Sequence, residues 1–254
     1  MKRLFGRTLF VLAIGASALA LTPACAENDE SIFVRHVLAP PQTRSQSGFC
    51  TYQPDENQTA LFHGVLDVEL SLNYDAVLLV GGQLIPRGDQ ANTRAESNRV
   101  HINGAVVKVT DPAGATISEF TAIGSGFVHP GQSQNASFGL VNVTLIDAPT
   151  ATQLKESLPK YLDSRLVIAN AKVFGKTLGG VDVESGEFQF PITVCRGCLI
   201  SFATGDDPLT DGPDCSKELD TTTQFQPPCK FGQDEGVPCQ ACRERSPICR
   251  GIFP

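Results

Sequence analysis

The chain of 254 residues contains no tryptophan, one methionine, three tyrosines and four histidines. Without tryptophan, the Cys-Trp-Cys signature of antibody domains is excluded. His36, His63, His101 and His129 share no paired spacing and form no H-E-x-x-H, so the zinc-protease motif is absent. Basic residues are scarce too: 20 Lys and Arg stand against 27 Asp and Glu, a formal charge of −7. An acidic balance opposes phosphate contacts and argues against nucleic acid as a partner.

What is present describes a globular chain of one or two domains. With 41% hydrophobic and 19% charged side chains, 23 Gly and 17 Pro, it can bury a core and is neither disordered nor collagen-like. Its anomaly is cysteine, because seven of nine fall between Cys195 and Cys249. Such density marks a disulfide scaffold.

Residues 1–24 read as a signal peptide: Lys2, Arg3 and Arg7 precede an apolar run from Leu9 to Leu21, and small residues follow. The run is too short for a membrane-spanning helix, which takes about 20 residues. Two processing readings compete. Ala24-Cys25-Ala26 fits ordinary cleavage, freeing a soluble chain from Glu27, whereas Leu21-Thr22-Pro23-Ala24-Cys25 resembles a lipobox with its Leu one place upstream. Either reading removes Cys25 from the disulfide pool and leaves eight cysteines, so parity does not choose between them. An unpaired Cys25 after a small residue, followed by the polar tether Glu27-Asn28-Asp29-Glu30-Ser31, favours lipidation. Without Lys2, Arg3 and Arg7 the balance is 17 basic against 27 acidic residues, a charge of −10. Membrane association therefore rests on the N-terminal lipid. Residues 25–60 comprise lipid attachment, the tether and a first strand at Ile32–Leu38. Ala26 after Cys25, lacking the Asp of an inner-membrane retention signal, favours the outer membrane.

Residues 61–194 read as an antiparallel β-sandwich, immunoglobulin- or fibronectin-like in the loose sense. From Leu66 to Tyr74, Leu66, Val68, Leu70, Leu72 and Tyr74 alternate with polar residues, as in a half-buried strand. Ala76–Val80 is a continuous apolar run closed by Gly81-Gly82. Val100 and Ile102 hold one phase and Ala105, Val107 and Val109 the other, which places a bulge or tight turn at Asn103-Gly104. Asp111-Pro112-Ala113-Gly114 is a turn signal, and strands follow at about 116–123, 137–146 and 165–175. Thr150-Ala151-Thr152-Gln153 has capping-box spacing, with Leu154 and Leu158 four apart before Pro159, predicting a short helix. Phe188, Phe190, Ile192 and Val194 form a last strand, with Pro191 suited to an edge. A small barrel is the alternative architecture.

Residues 195–254 lose regular patterning, cannot build a core of their own and need covalent ties. Eight cysteines, Cys50, Cys195, Cys198, Cys215, Cys229, Cys239, Cys242 and Cys249, allow 105 pairings. Cys50, far upstream, is expected to bond a C-terminal cysteine and stitch the tail to the body.

Four segments carry a resemblance. The signal with Cys25, Glu30-Ser31-Ile32-Phe33-Val34-Arg35, Val194-Cys195-Arg196-Gly197-Cys198-Leu199, and Pro228-Cys229 through Gly232-Gln233-Asp234-Glu235 to Pro238-Cys239-Gln240-Ala241-Cys242 together resemble a group of bacterial lipoproteins of no assigned activity. The resemblance spans most of the chain and implies a surface or periplasmic lipoprotein, with no catalytic residues to carry over.

Chemical readings of the same residues are weaker. Cys195-x-x-Cys198 and Cys239-x-x-Cys242 could supply four zinc thiolates, but their separation exceeds the usual ribbon spacing and an oxidising compartment opposes it. A redox CxxC needs a cysteine of lowered pKa, typically at a helix N-terminus after a strand, and Leu199–Gly205 has no helical period. Asp206, Asp207, Asp211 and Asp214 do not fit calcium-loop spacing. Gly175-Lys176-Thr177 lacks the first glycine of a phosphate loop, since residue 170 is Asn, and Gly131-Gln132-Ser133-Gln134-Asn135 misses a nucleophile elbow. The expectation is a non-enzymatic, lipid-anchored envelope protein with a binding or structural role, no metal and no cofactor, and an envelope protein or glycan as partner. The rival is a secreted enzyme, either a thiol-disulfide oxidoreductase using Cys195 and Cys198 or a hydrolase assembled from residues distant in sequence.

Overall fold

The computed structural model describes residues 31–42, 50–87, 96–131, 136–202, 215 and 227–252. Cys25, the signal segment, the Asp206–Asp214 cluster and residues 132–135 lie outside them.

The described chain is mainly β. A four-stranded sheet has the order β2-β1-β4-β7, formed by β1 (Ile32–Leu38), β2 (Ala60–Leu61), β4 (Tyr74–Gly82) and β7 (Ser137–Ile146). A larger sheet has the order β3-β10-β8-β5-β6, formed by β3 (Gly64–Asp67), β5 (Val100–Thr110), β6 (Thr116–Val128), β8 (Ser164–Thr177) and β10 (Phe188–Cys195), and β9 (Asp182–Glu184) pairs with β8. One hydrophobic core joins both, with Leu78, Val80 and Val141 from the first sheet and Ile102, Val107, Val173 and Ile192 from the second. Along one side the sheets curl together as a half-barrel. Glycines permit this, since a Cβ on Gly126 would lie 2.3 Å from Leu140 O and one on Gly139 2.1 Å from Phe127 O.

Alternation locates most strands. The phase change at Asn103-Gly104 is a register shift against both β6 and β8. The strand expected over Leu66–Tyr74 is instead two strands, because the chain turns after Asp67, whose carbonyl accepts the amides of Leu70 and Ser71 at 3.0 Å. The expected capping box at Thr150 is displaced. Helix α1 (Ala148–Glu156) starts earlier, with the Asp147 side chain accepting from Thr150 N as N-cap.

The expectation of wholly antiparallel pairing also fails. β3 runs parallel to β10, with Ile192 opposite Gly64 and Cys195 opposite Asp67. The long connection between the two strands permits a parallel pairing. Its consequence is local: the turn after β3 and the Cys195–Cys198 loop after β10 emerge side by side. Pro191 lies just before the stretch of β10 that β3 covers, where its missing N–H removes no ladder bond to β3.

Beyond β10, a second small cluster holds Ile200, Cys215, Val237, Cys239, Cys242, Ile248 and Cys249. It includes β11 (Ile200–Ser201) paired with β12 (Val237–Pro238), helix α2 (Cys239–Cys242) and a 3-10 turn at Ile248–Arg250. The segment thus has a core after all, and four of those seven residues are cysteines.

Candidate functional site

Asp67 ends β3 and is fully buried. Its Oδ1 accepts the amide of Gly197 at 2.8 Å and that of Glu69 at 3.1 Å, and its Oδ2 accepts the amide of Leu199 at 3.0 Å. One carboxylate therefore closes its own turn and holds the Cys195–Cys198 loop. Gly197 adopts φ 81°, and a Cβ there would lie 2.7 Å from the Tyr161 ring, so both conformation and space require glycine. Burial pushes the Asp67 carboxyl above the ordinary carboxylate range, its three amide donors oppose this, and the charge of Glu69 adds to it.

Cys195 is buried and Cys198 is accessible to solvent. Their sulfurs and a carboxylate oxygen of Asp67 all lie within 4.8 Å of one another. Among the described residues, this is the one group of three or more His, Cys, Asp or Glu close enough to surround a metal ion. The two sulfurs are joined to each other, however, and a disulfide is not a thiolate pair.

Glu69, two residues on, has a side chain only 7% exposed and pairs with Arg196 Nε at 2.6 Å and Lys155 Nζ at 3.2 Å. Arg196 also donates through Nη1 to the carbonyls of Leu158 and Pro159, at 3.2 and 2.9 Å. Glu69, Arg196, Lys155, Arg245, Ile248 and Ile252 line an open groove of about 400 Å³ beside the loop.

A second, half-buried acid fastens the C-terminal segment. Asp234 accepts the Tyr74 hydroxyl at 3.0 Å and the Val65 amide at 2.8 Å, from a backbone with φ 60°. Its neighbour Gln233 accepts the Asp75 amide at 2.9 Å and donates to the Asp75 carbonyl at 2.8 Å.

The eight cysteines expected to pair lie in four pairs: Cys50 with Cys229, Cys195 with Cys198, Cys215 with Cys239, and Cys242 with Cys249. Cys195, Cys198, Cys239 and Cys242 thus belong to three different pairs rather than to one tetrathiolate. Gly175-Lys176-Thr177 lies within β8, where Lys176 pairs with Asp182 of β9 at 3.2 Å, so no phosphate-cradling loop exists there. The histidines have unrelated settings: His36 is on β1, His63 Nε2 lies 2.9 Å from Thr193 Oγ1, and His101 stacks on Phe127.

Sequence reasoning finds the cysteines and misses Asp67, Glu69 and Asp234. The Gly232–Glu235 stretch stands out in the sequence through its resemblance alone; the structure gives Gln233 and Asp234 their work. No family model matches the chain, and no curated protein is significantly similar to it.

Proposed function

We propose that this is an exported, lipid-anchored envelope protein with a non-enzymatic binding or structural role. Its body is a β-sandwich, a reading supported by two sheets sharing one core. The observation that carries the proposal is the set of four cysteine pairs, above all Cys50–Cys229, which ties residues 179 apart in the chain. Disulfides at this density persist in oxidising compartments outside the cytosol. Cys25 is the lipid site, and the outer membrane is the location.

The partner is an envelope glycan or protein, and a polar groove supports the glycan. Lys108, Asn170 and Gln189 stand opposite one another on β5, β8 and β10, and with Asp111 and Glu187 they line an open space of about 430 Å³. Several hydrogen-bonding side chains converging on one concavity suit a polyhydroxylated ligand.

The anchor is tested by mass spectrometry of the mature N-terminus from envelope fractions. An acylated chain beginning at Cys25 is expected, and an unmodified chain beginning at Glu27 would overturn it. For the partner, the oxidised protein is screened on immobilised envelope glycans, and binding that Gln189→Ala abolishes is expected. Retention of no glycan would leave a purely structural role.

A further inference from the structure

The four disulfides are not equivalent. Cys215, Cys239, Cys242 and Cys249 are all buried within the second core cluster, and Cys50–Cys229 spans most of the chain. Cys195–Cys198 closes a four-residue loop, joins the buried Cys195 to a Cys198 that is open to solvent, and has a buried carboxyl beside it. Exchange requires access to one sulfur and a stabilised departure of the other. Both requirements meet here.

We propose that Cys195–Cys198 is a thiol-disulfide exchange site for an external dithiol, in which Cys198 is the attacked sulfur and Asp67 supplies the proton to the departing Cys195. This goes beyond a binding or structural role and does not depend on the lipid anchor. A thiolate of the dithiol attacks Cys198 Sγ; the Cys195–Cys198 bond breaks and its electron pair passes to Cys195 Sγ. A thiolate left in that buried position is costly. The Asp67 carboxyl, within 4.8 Å, delivers a proton directly or through one water and is reprotonated from solvent. The second thiol of the dithiol loses its proton to solvent and attacks the dithiol sulfur bonded to Cys198; that mixed-disulfide bond breaks, its electron pair passes to Cys198 Sγ, and Cys198 takes a proton from solvent. The dithiol is oxidised and Cys195 and Cys198 are reduced, by two electrons and two protons. In reverse, Asp67 accepts the proton of Cys195.

Among the described residues, the titratable and charged groups around this carboxyl are few. Glu69 faces it from the same turn, Tyr161 approaches from the α1–β8 connection, and Arg196 and Lys155 neutralise Glu69. Asp67 is thus the acid placed to exchange a proton with Cys195, while Glu69 is held in its ion pairs.

The test uses the full mature chain, with dithiothreitol as probe and no denaturant. Samples are quenched by alkylation and mapped by peptide mass spectrometry. Cys195 and Cys198 are expected to be alkylated together, at least about tenfold faster than the other six cysteines. The rate corrected for dithiothreitol thiolate falls as pH rises through the ionisation of Asp67, and Asp67→Asn makes it flat. The proposal is overturned if this pair opens together with or after the others, or if the corrected wild-type profile is itself flat. Both of these outcomes are read on the wild-type chain, so the proposal stays decidable even where Asp67→Asn fails to fold. Should the variant fold and keep the wild-type profile, Asp67 is not the donor.

Discussion

The hydroxyl of Tyr74 lies 3.0 Å from both carboxylate oxygens of Asp234, across 160 residues of sequence, and this contact fastens the Cys-rich segment to the β body. Tyr74 is fully buried against Phe190, with ring centroids 6.0 Å apart, so the phenol cannot turn to water. Burial first, then the Asp234 charge, keep it un-ionised far beyond its ordinary range.

Tyr74→Phe should keep the ring packing and remove one donor from a half-buried carboxylate. The expected loss is about 2 kcal/mol, read as a lower urea midpoint with an unchanged far-ultraviolet dichroism spectrum. An unchanged midpoint would mean that the Val65 amide and the Gln233 side-chain amide, which donates to Asp234 Oδ2 at 3.1 Å, satisfy Asp234 unaided.

Removing Cys50–Cys229 should cost far more than removing Cys195–Cys198. In the chain-entropy model, loops of these two lengths give about 5 and about 2 kcal/mol. Paired serine substitutions, Cys50→Ser with Cys229→Ser and Cys195→Ser with Cys198→Ser, compared by urea denaturation, should preserve that order. Equal losses would show that the long stitch does not constrain the unfolded chain.

Alternation is a local signal and serves where the structure is local. It delimits β7 at Ser137–Ile146 and locates the β5 bulge, because each face of those strands meets one environment. It fails at Leu66–Tyr74 for a physical reason. Leu66, Val68 and Tyr74 are all buried, as a continuous strand would also bury them. Yet Asp67, in the phase that a strand would expose, is buried too, and its bonds bend the chain. Nothing in the neighbouring sequence announces this, since its partners Gly197 and Leu199 lie 130 and 132 residues away. The cysteines are legible because their chemistry is rare; the carboxylates are not, because acidic residues ordinarily face water.

Arg196→Lys should be destabilising although it keeps the charge. The guanidinium reaches Glu69 through Nε and two carbonyls through Nη1, a planar geometry that an ammonium on a different stem cannot reproduce. With the Glu69 side chain only 7% exposed, the expected cost is about 2 kcal/mol. Thermal unfolding of the variant checks it, and a wild-type midpoint would mean that Lys155 alone suffices for Glu69.

The stability of the fold should respond to pH against the usual direction for carboxylates. Asp67 and Asp234 are both raised above the ordinary range, each first by burial and in part by a neighbouring acid, Glu69 or Glu235, with hydrogen bonds opposing. The folded chain therefore binds these two protons more tightly than the unfolded chain, whose carboxyls titrate near about 3.9. Between that value and the raised ones, the folded state holds more protons, and stability falls as pH rises. The slope is at most about 1.4 kcal/mol per pH unit for each group. Above the raised values the contribution is flat, and below the unfolded value it is fully present. Urea midpoints followed from neutral pH down towards about 4 should thus gain from these two groups. In the Asp67→Asn, Asp234→Asn double variant that component disappears. Slopes rather than absolute stabilities are compared, because asparagine also replaces an accepting oxygen with an N–H₂ donor. Identical slopes in the two proteins would mean that the amide and hydroxyl donors outweigh burial, and that both carboxylates are ionised in the fold across this range.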